Sequence, residues 1–115
     1  MNAQDKTVKS QFRITRKYVN KKKELQPYFL YLQMEEMAKK MILPYQKETS
    51  ALATNTSIEI RHSVYLQETI YLKGIVEFRE SSTIDISIVV YKANNYNTTI
   101  ISKATFTYQF KELKM

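Results

Sequence analysis

A chain of 115 residues has room for one domain, taken here as residues 1–115, and can bury about two thirds of its unfolded surface. With no cysteine and a single histidine it excludes disulfides, a thiolate zinc site and a cysteine nucleophile, and it offers no metal cage. The net charge of +7 is concentrated at one end: residues 1–24 carry eight basic groups against Asp5 and Glu24, and the rest is nearly balanced. Such a field attracts phosphates, while the same lysines on an edge strand discourage edge-to-edge association, and both readings stay open.

The opening MNAQDKTVKS is polar and lacks the apolar segment of a secretory signal. No stretch approaches the roughly 20 apolar residues of a membrane span, so a cytoplasmic protein without a membrane partner is expected. Asn55-Thr56-Ser57 and Asn97-Thr98-Thr99 match the glycosylation pattern and are read as chance in that setting.

Residues 8–18 alternate, with Val8, Ser10, Phe12 and Ile14 on one face, and predict a half-buried strand ended by residues 20–23. PYFLYLQMEEMAKKMIL follows, bracketed by Pro27 and Pro44. Proline suits the first helical position and not the interior, so the pair marks a helix. Leu30, Met34, Met37, Ala38 and Met41 form one apolar stripe on it, read as a core face. After a loop around Lys47–Ser50, four alternating runs remain: Thr54–Ile60, Ile70–Phe78, Ile84–Val90 and Ser102–Phe110. Turns are placed at Ser81-Ser82 and Asn94-Asn95-Tyr96-Asn97, which makes the sheet antiparallel.

The element order is β-α-β-β-β-β, an α+β chain. A helix of about 17 residues is about 25 Å long and eight-residue strands about 27 Å. These matched lengths predict an antiparallel sheet wrapped around one central helix; a cone-shaped sheet cradling a helix is the competing architecture. The single glycine, Gly74, rules out Gly-rich phosphate loops and a G-x-S-x-G elbow. Inside a strand it marks a bulge, a bend or a close contact. The nine tyrosines are scattered, and no basic-aromatic motif of a nucleic-acid sheet surface stands out, so a nucleic-acid partner is not expected. Carboxylates, hydroxyls and His62 are left to carry chemistry.

On these features the chain resembles hotdog-fold thioesterases. Residues 28–110 are most similar to the fluoroacetyl-CoA-thioesterase-type group: an acidic residue at mid-helix in LQMEEMAKK, a strand ending in histidine in TNTSIEIRHSV, and a matching Glu36-to-His62 interval. The resemblance implies a homodimer with acyl-CoA sites at the subunit interface, hydrolysing a small or medium acyl thioester without a cofactor. It implies Glu36 as base or nucleophile and His62 as the proton-transfer group. Tyr28 falls where the family has a small hydroxyl residue and is counted with Glu36 and His62 as a catalytic candidate, its hydroxyl donating a hydrogen bond. Asn55, Thr56 and Ser63 are further polar candidates, and Arg13, Arg16 and Lys17 are candidates for the phosphates of coenzyme A or for plain strand-surface charge.

Two departures mark the chain: Tyr28 is larger than its counterpart, and Val64-Tyr65-Leu66-Gln67-Glu68 lacks the family's proline and glycine. They leave open a second reading, a non-catalytic hotdog domain that binds acyl-CoA or a protein partner. On the helix, Glu36 four residues before Lys40 and Glu35 four before Lys39 also fit ordinary surface pairs.

Overall fold

Helix α1 (Pro27–Ile42) starts where its sequence says it should, with Pro27 at the first position after an extended Gln26. A short 3-10 turn, Leu43–Tyr45, carries Pro44 and ends it. Leu30, Met34, Met37, Ala38 and Met41 are all buried as one stripe, joined by Ile42. This is a computed structural model, and it describes residues 7–45, 49–80, 82–93 and 97–112. Lys47 and Glu48 of the expected loop and Ser81, Asn94, Asn95 and Tyr96 of the expected turns lie outside the described residues.

Five strands, β1 (Thr7–Arg13), β2 (Thr49–Ile60), β3 (Thr69–Arg79), β4 (Thr83–Ala93) and β5 (Thr98–Glu112), form one antiparallel sheet in the order β1-β3-β4-β5-β2. Strands β3, β4 and β5 take the centre because their alternating aliphatics meet the helix. Ile84, Ile86, Ile88 and Val90 are completely buried, with Phe106 and Tyr108 beside them. Gly74 sits opposite Ile88 where the helix comes down on the sheet. A Cβ there would stand 2.5 Å from the Met41 sulfur and 3.0 Å from Ile88 Cδ1, so the glycine marks a close contact.

The expected strand over 8–18 ends early, at Arg13. Residues Arg16–Tyr18 form a 3-10 turn instead. Ile14 leaves the ladder to donate to Glu68 O at 2.9 Å and to accept from Gln67 N at 2.9 Å, which drops its side chain into the core. Strand β2 begins at Thr49, inside the expected loop, and β5 runs longer than expected at both ends. A register shift at Val90/Tyr91 changes which β5 side chains face inward, so adjacent Ile101 and Ser102 are both fully buried.

Every residue from Leu52 to Ile60 is exposed, including Ile58 and Ile60. This edge strand pairs only with β5, and a bulge at Ala53/Asn55 bends it. The radius of gyration is 15.7 Å, against about 13 Å for a compact chain of this length. Strand β2 therefore stands out as a wing whose outer backbone edge and apolar side chains have no partner in the described chain. Among the described residues no helix is long and apolar enough to cross a membrane.

Candidate functional site

Strand β2 ends at Ile60, and the chain then crosses the N-terminal end of α1. Arg61 N and His62 N both donate to Ile101 O, at 2.8 and 3.4 Å. Val64 is buried and its carbonyl accepts from Leu25 N at 2.7 Å. The segment has neither proline nor glycine, so side chains supply the turn. A Glu68 carboxylate oxygen accepts from Tyr65 N at 2.8 Å, its other oxygen binds Lys92 at 3.0 Å, and Gln67 takes the left-handed backbone at φ 76°.

This crossing leaves a cavity of about 250 Å³ lined by His62 and Ser63 with Leu25, Pro27, Leu30 and Val64, and by Ile60 and Arg61 from the end of β2. Pro27 and Leu30 place the first turn of α1 in its wall. Pro27 has no N–H, and Phe29 N and Leu30 N both donate to Gln26 O, at 3.0 and 3.3 Å, so what reaches the cavity is the partial positive charge of the helix start and not a set of free amides. Among the described residues no cluster of three metal-binding side chains forms.

The expected site residues divide. His62 and Ser63 share the cavity. Tyr28 sits one residue past Pro27, largely exposed, with its ring against Phe29 at 5.8 Å, at the end of an aromatic row that runs through Tyr18 to Phe12. Asn55 and Thr56 are exposed on the β2 wing. Arg13 closes β1 opposite Thr69, Arg16 lines a separate basic groove, and Lys17 lies over the Tyr18 ring at 5.1 Å. Glu36 is exposed, joins no ion pair among the described residues and does not line the His62 cavity of its own chain. Nine residues from Pro27, it lies about 13 Å along the helix.

Glu35, which by spacing fits a surface pair with Lys39, has different surroundings from Glu36. At 100° per residue Glu35 falls about 100° round from the centre of the buried stripe, whereas Glu36 falls about 200° round, away from the sheet. Tyr31 donates its hydroxyl to a Glu35 oxygen at 3.2 Å, and Lys39 approaches the other at 3.9 Å. Tyr31 also packs against Phe106 of β5, so this helix flank overlooks the β5–β2 side of the sheet. The Tyr31, Glu35 and Lys39 spacing of four was the available signal; the burial of Tyr108 beneath it was not.

Burial first, then the Glu35 charge and Tyr31, pushes the Tyr108 phenol up to about 12. Burial and the bond to Glu35 also raise Tyr31. An unfolded tyrosine ionises near pH 10, so above that pH the unfolded chain loses a proton that native Tyr108 keeps, and stability falls. The contribution is fully present below about pH 10 and is lost as pH rises towards about 12, on the order of 2 kcal/mol. Urea unfolding at two pH values within and below that window is expected to show the loss, and Tyr108→Phe to reduce it. An unchanged alkaline loss in the variant would assign it elsewhere.

No protein-family model and no curated protein matches the sequence. Solved structures do match. A hypothetical thioesterase from Streptococcus pneumoniae TIGR4, with coenzyme A, superposes with a TM-score of 0.81 at 13% identity, covering 99% of this chain and 85% of that one. The protein smu.793 from Streptococcus mutans UA159, bound to acetyl CoA, gives 0.77 at 16% identity over 95% and 84%. An acyl-CoA hydrolase from Staphylococcus aureus, in complex with butyryl coenzyme A, coenzyme A and coenzyme A disulfide, gives 0.77 at 10% identity over 94% and 66%. With one helix held by a five-stranded antiparallel sheet in the order β-α-β-β-β-β, and with this agreement over nearly its whole length, the chain has the hotdog fold.

Proposed function

We propose that this protein hydrolyses acyl-CoA thioesters as a homodimer, with each site shared between two subunits. The observation that carries the reading is the His62 cavity at the start of α1, which opens beside the partnerless β2 wing. Pairing of two β2 edges would satisfy the open backbone and cover Leu52, Ile58 and Ile60. It would also turn the β2-side flank of each α1 towards the other subunit. Structural similarity to proteins crystallised with coenzyme A and its thioesters supports the same ligand class.

In this arrangement Glu35 of one subunit takes a proton from water as the water oxygen attacks the thioester carbonyl in the partner's cavity. The oxyanion forms at the positive end of α1, favoured by the helix charge there, since Pro27 brings no N–H and Gln26 O already takes Phe29 N and Leu30 N. When the intermediate collapses the C–S bond breaks, and the proton taken by Glu35 passes by way of His62 to the departing thiolate, which returns both groups to their starting states. The products are a carboxylic acid and coenzyme A, and no cofactor takes part. The helix flank favours Glu35 over Glu36, which faces away from the sheet. Tyr28, Asn55, Thr56 and Ser63 are assigned to holding the substrate by hydrogen bonds.

A cavity of about 250 Å³ suits a small acyl group better than a long chain. That preference, with the motifs LQMEEMAKK and TNTSIEIRHSV, supports a reading as the fluoroacetyl-CoA-thioesterase type. The test is release of free thiol from a series of short to medium acyl-CoAs. Turnover greatest for the shortest chains is the expected result. Thermal stabilisation by acyl-CoA without thiol release would convert the reading to a non-catalytic binder, and neither effect would remove it.

A further inference from the structure

Beyond the His62 loop lies a second groove, of about 410 Å³, lined by Arg16, Val19, Asn20, Lys21, Lys23 and Leu66. We propose that it holds the phosphate groups at the nucleotide end of coenzyme A. This rests on the acyl-CoA reading above and names which surface takes the charged end.

The groove is built around one turn. The Asn20 side-chain oxygen accepts from Lys22 N at 2.8 Å and Glu24 N at 3.0 Å. The Asn20 carbonyl accepts from Lys23 N at 2.9 Å, and Asn20 N donates to Glu24 O at 2.9 Å. Lys23 sits in the left-handed region at φ 65°, an uncommon conformation for a side chain of this type. Local hydrogen bonds thus hold three consecutive lysines in a strained turn.

No carboxylate lines this groove, and Arg16, Lys21, Lys22 and Lys23 join no ion pair among the described residues. Nearby Glu68 is already engaged by Lys92 and Tyr65 N. Edge protection accounts for Lys9 and Arg13 on β1, but not for charges gathered in a turn beyond the strand. Like charges held together repel, and a bound anion relieves that repulsion.

Position supplies the link to the thioester. Leu25 N bonds Val64 O at 2.7 Å, and Leu66 N bonds Lys23 O at 2.9 Å, so one short backbone ladder joins the two sites. Leu25 and Val64 face the His62 cavity, while Lys23 and Leu66 line the basic groove. They are two residues apart, about 7 Å of extended chain. Coenzyme A separates its sulfur from its phosphates by a long pantetheine arm, which would pass over this ladder.

The test is calorimetric titration of the full chain at low salt with adenosine 3′,5′-bisphosphate, coenzyme A, pantetheine and a short uridine oligoribonucleotide. The bisphosphate and coenzyme A are expected to bind with strong salt dependence, and the Lys21→Gln/Lys23→Gln double variant to weaken both by about tenfold or more, leaving pantetheine unchanged. Lys21→Gln alone, at an exposed position, is expected to show part of the loss with unchanged melting. Equal bisphosphate affinity in wild type and variants overturns the assignment, as does no binding or tighter binding of the oligoribonucleotide. Bisphosphate binding lost in the variants of a protein that turns over no acyl-CoA would keep the groove and remove the hydrolase reading.

Discussion

Glu35→Gln is expected to lower the turnover number for acyl-CoA hydrolysis by about 10²–10⁴-fold, the range for loss of a positioned proton acceptor. Glutamine keeps the shape and can still accept the Tyr31 hydroxyl bond, so the fold and substrate binding should change little. Glu36→Gln removes an exposed charge that has no ion pair among the described residues and is expected to stay within about twofold of wild type. Steady-state kinetics on the two variants decides between neighbouring carboxylates. A large loss in Glu36→Gln with near-normal Glu35→Gln would reverse the assignment and return the base to the residue suggested by the spacing to His62.

Mixing two inactive variants is expected to restore activity if each site is shared. Glu35→Gln and His62→Ala homodimers would each be nearly inactive. In a heterodimer of the two, one site carries both substitutions and the other carries neither. Random exchange between equal amounts makes half the dimers mixed, so about a quarter of all sites recover. The readout is thiol release after incubating the variants together under exchange conditions. No recovery, with exchange confirmed by tagged subunits, would rule out the shared site and require both groups to act within one chain.

These predictions turn on a feature that the local pattern did not reveal. Glu35 and Glu36 have the same neighbours in sequence, and each has a lysine four residues on. What separates them is the sheet beneath. Tyr31 and Glu35 stand over Phe106 and Tyr108 of β5, whereas Glu36 points away. The β5 residues lie some 70 positions distant, and no helical spacing shows which flank will meet them. His62 was singled out as the only imidazole, and its strand end was visible in the alternation before it. The wall around it combines Leu25, Pro27 and Leu30 with Val64, a contact between separate segments.

The basic segment shows the same division. Its charge was evident, and Arg16 lines the groove. Lys21 and Lys23 join it because Asn20 folds the turn and Lys23 takes a left-handed backbone. The strand expected over residues 8–18 would have held Arg16 in extended chain, apart from that turn. Its end at Arg13 follows from Ile14, which gives up the ladder to bond the distant Gln67–Glu68 backbone.

By itself the sequence determined the element order, the limits of α1, its buried methionine stripe, the inward face of β4 and that of β3 as far as Val76; Phe78, expected on the same face, is exposed beyond a bulge at Val76/Phe78. Those properties follow from periodicity and from proline chemistry, which act over a few residues. Only the tertiary structure decided that Gly74 is a close contact, that β2 is an exposed wing, and that Ile101 and Ser102 both lie inside. It also decided which helix flank overlooks the β5–β2 side and what surrounds His62. Each of these depends on sheet order, a bulge or the distance between packed layers, and those are set by contacts between residues far apart in the chain.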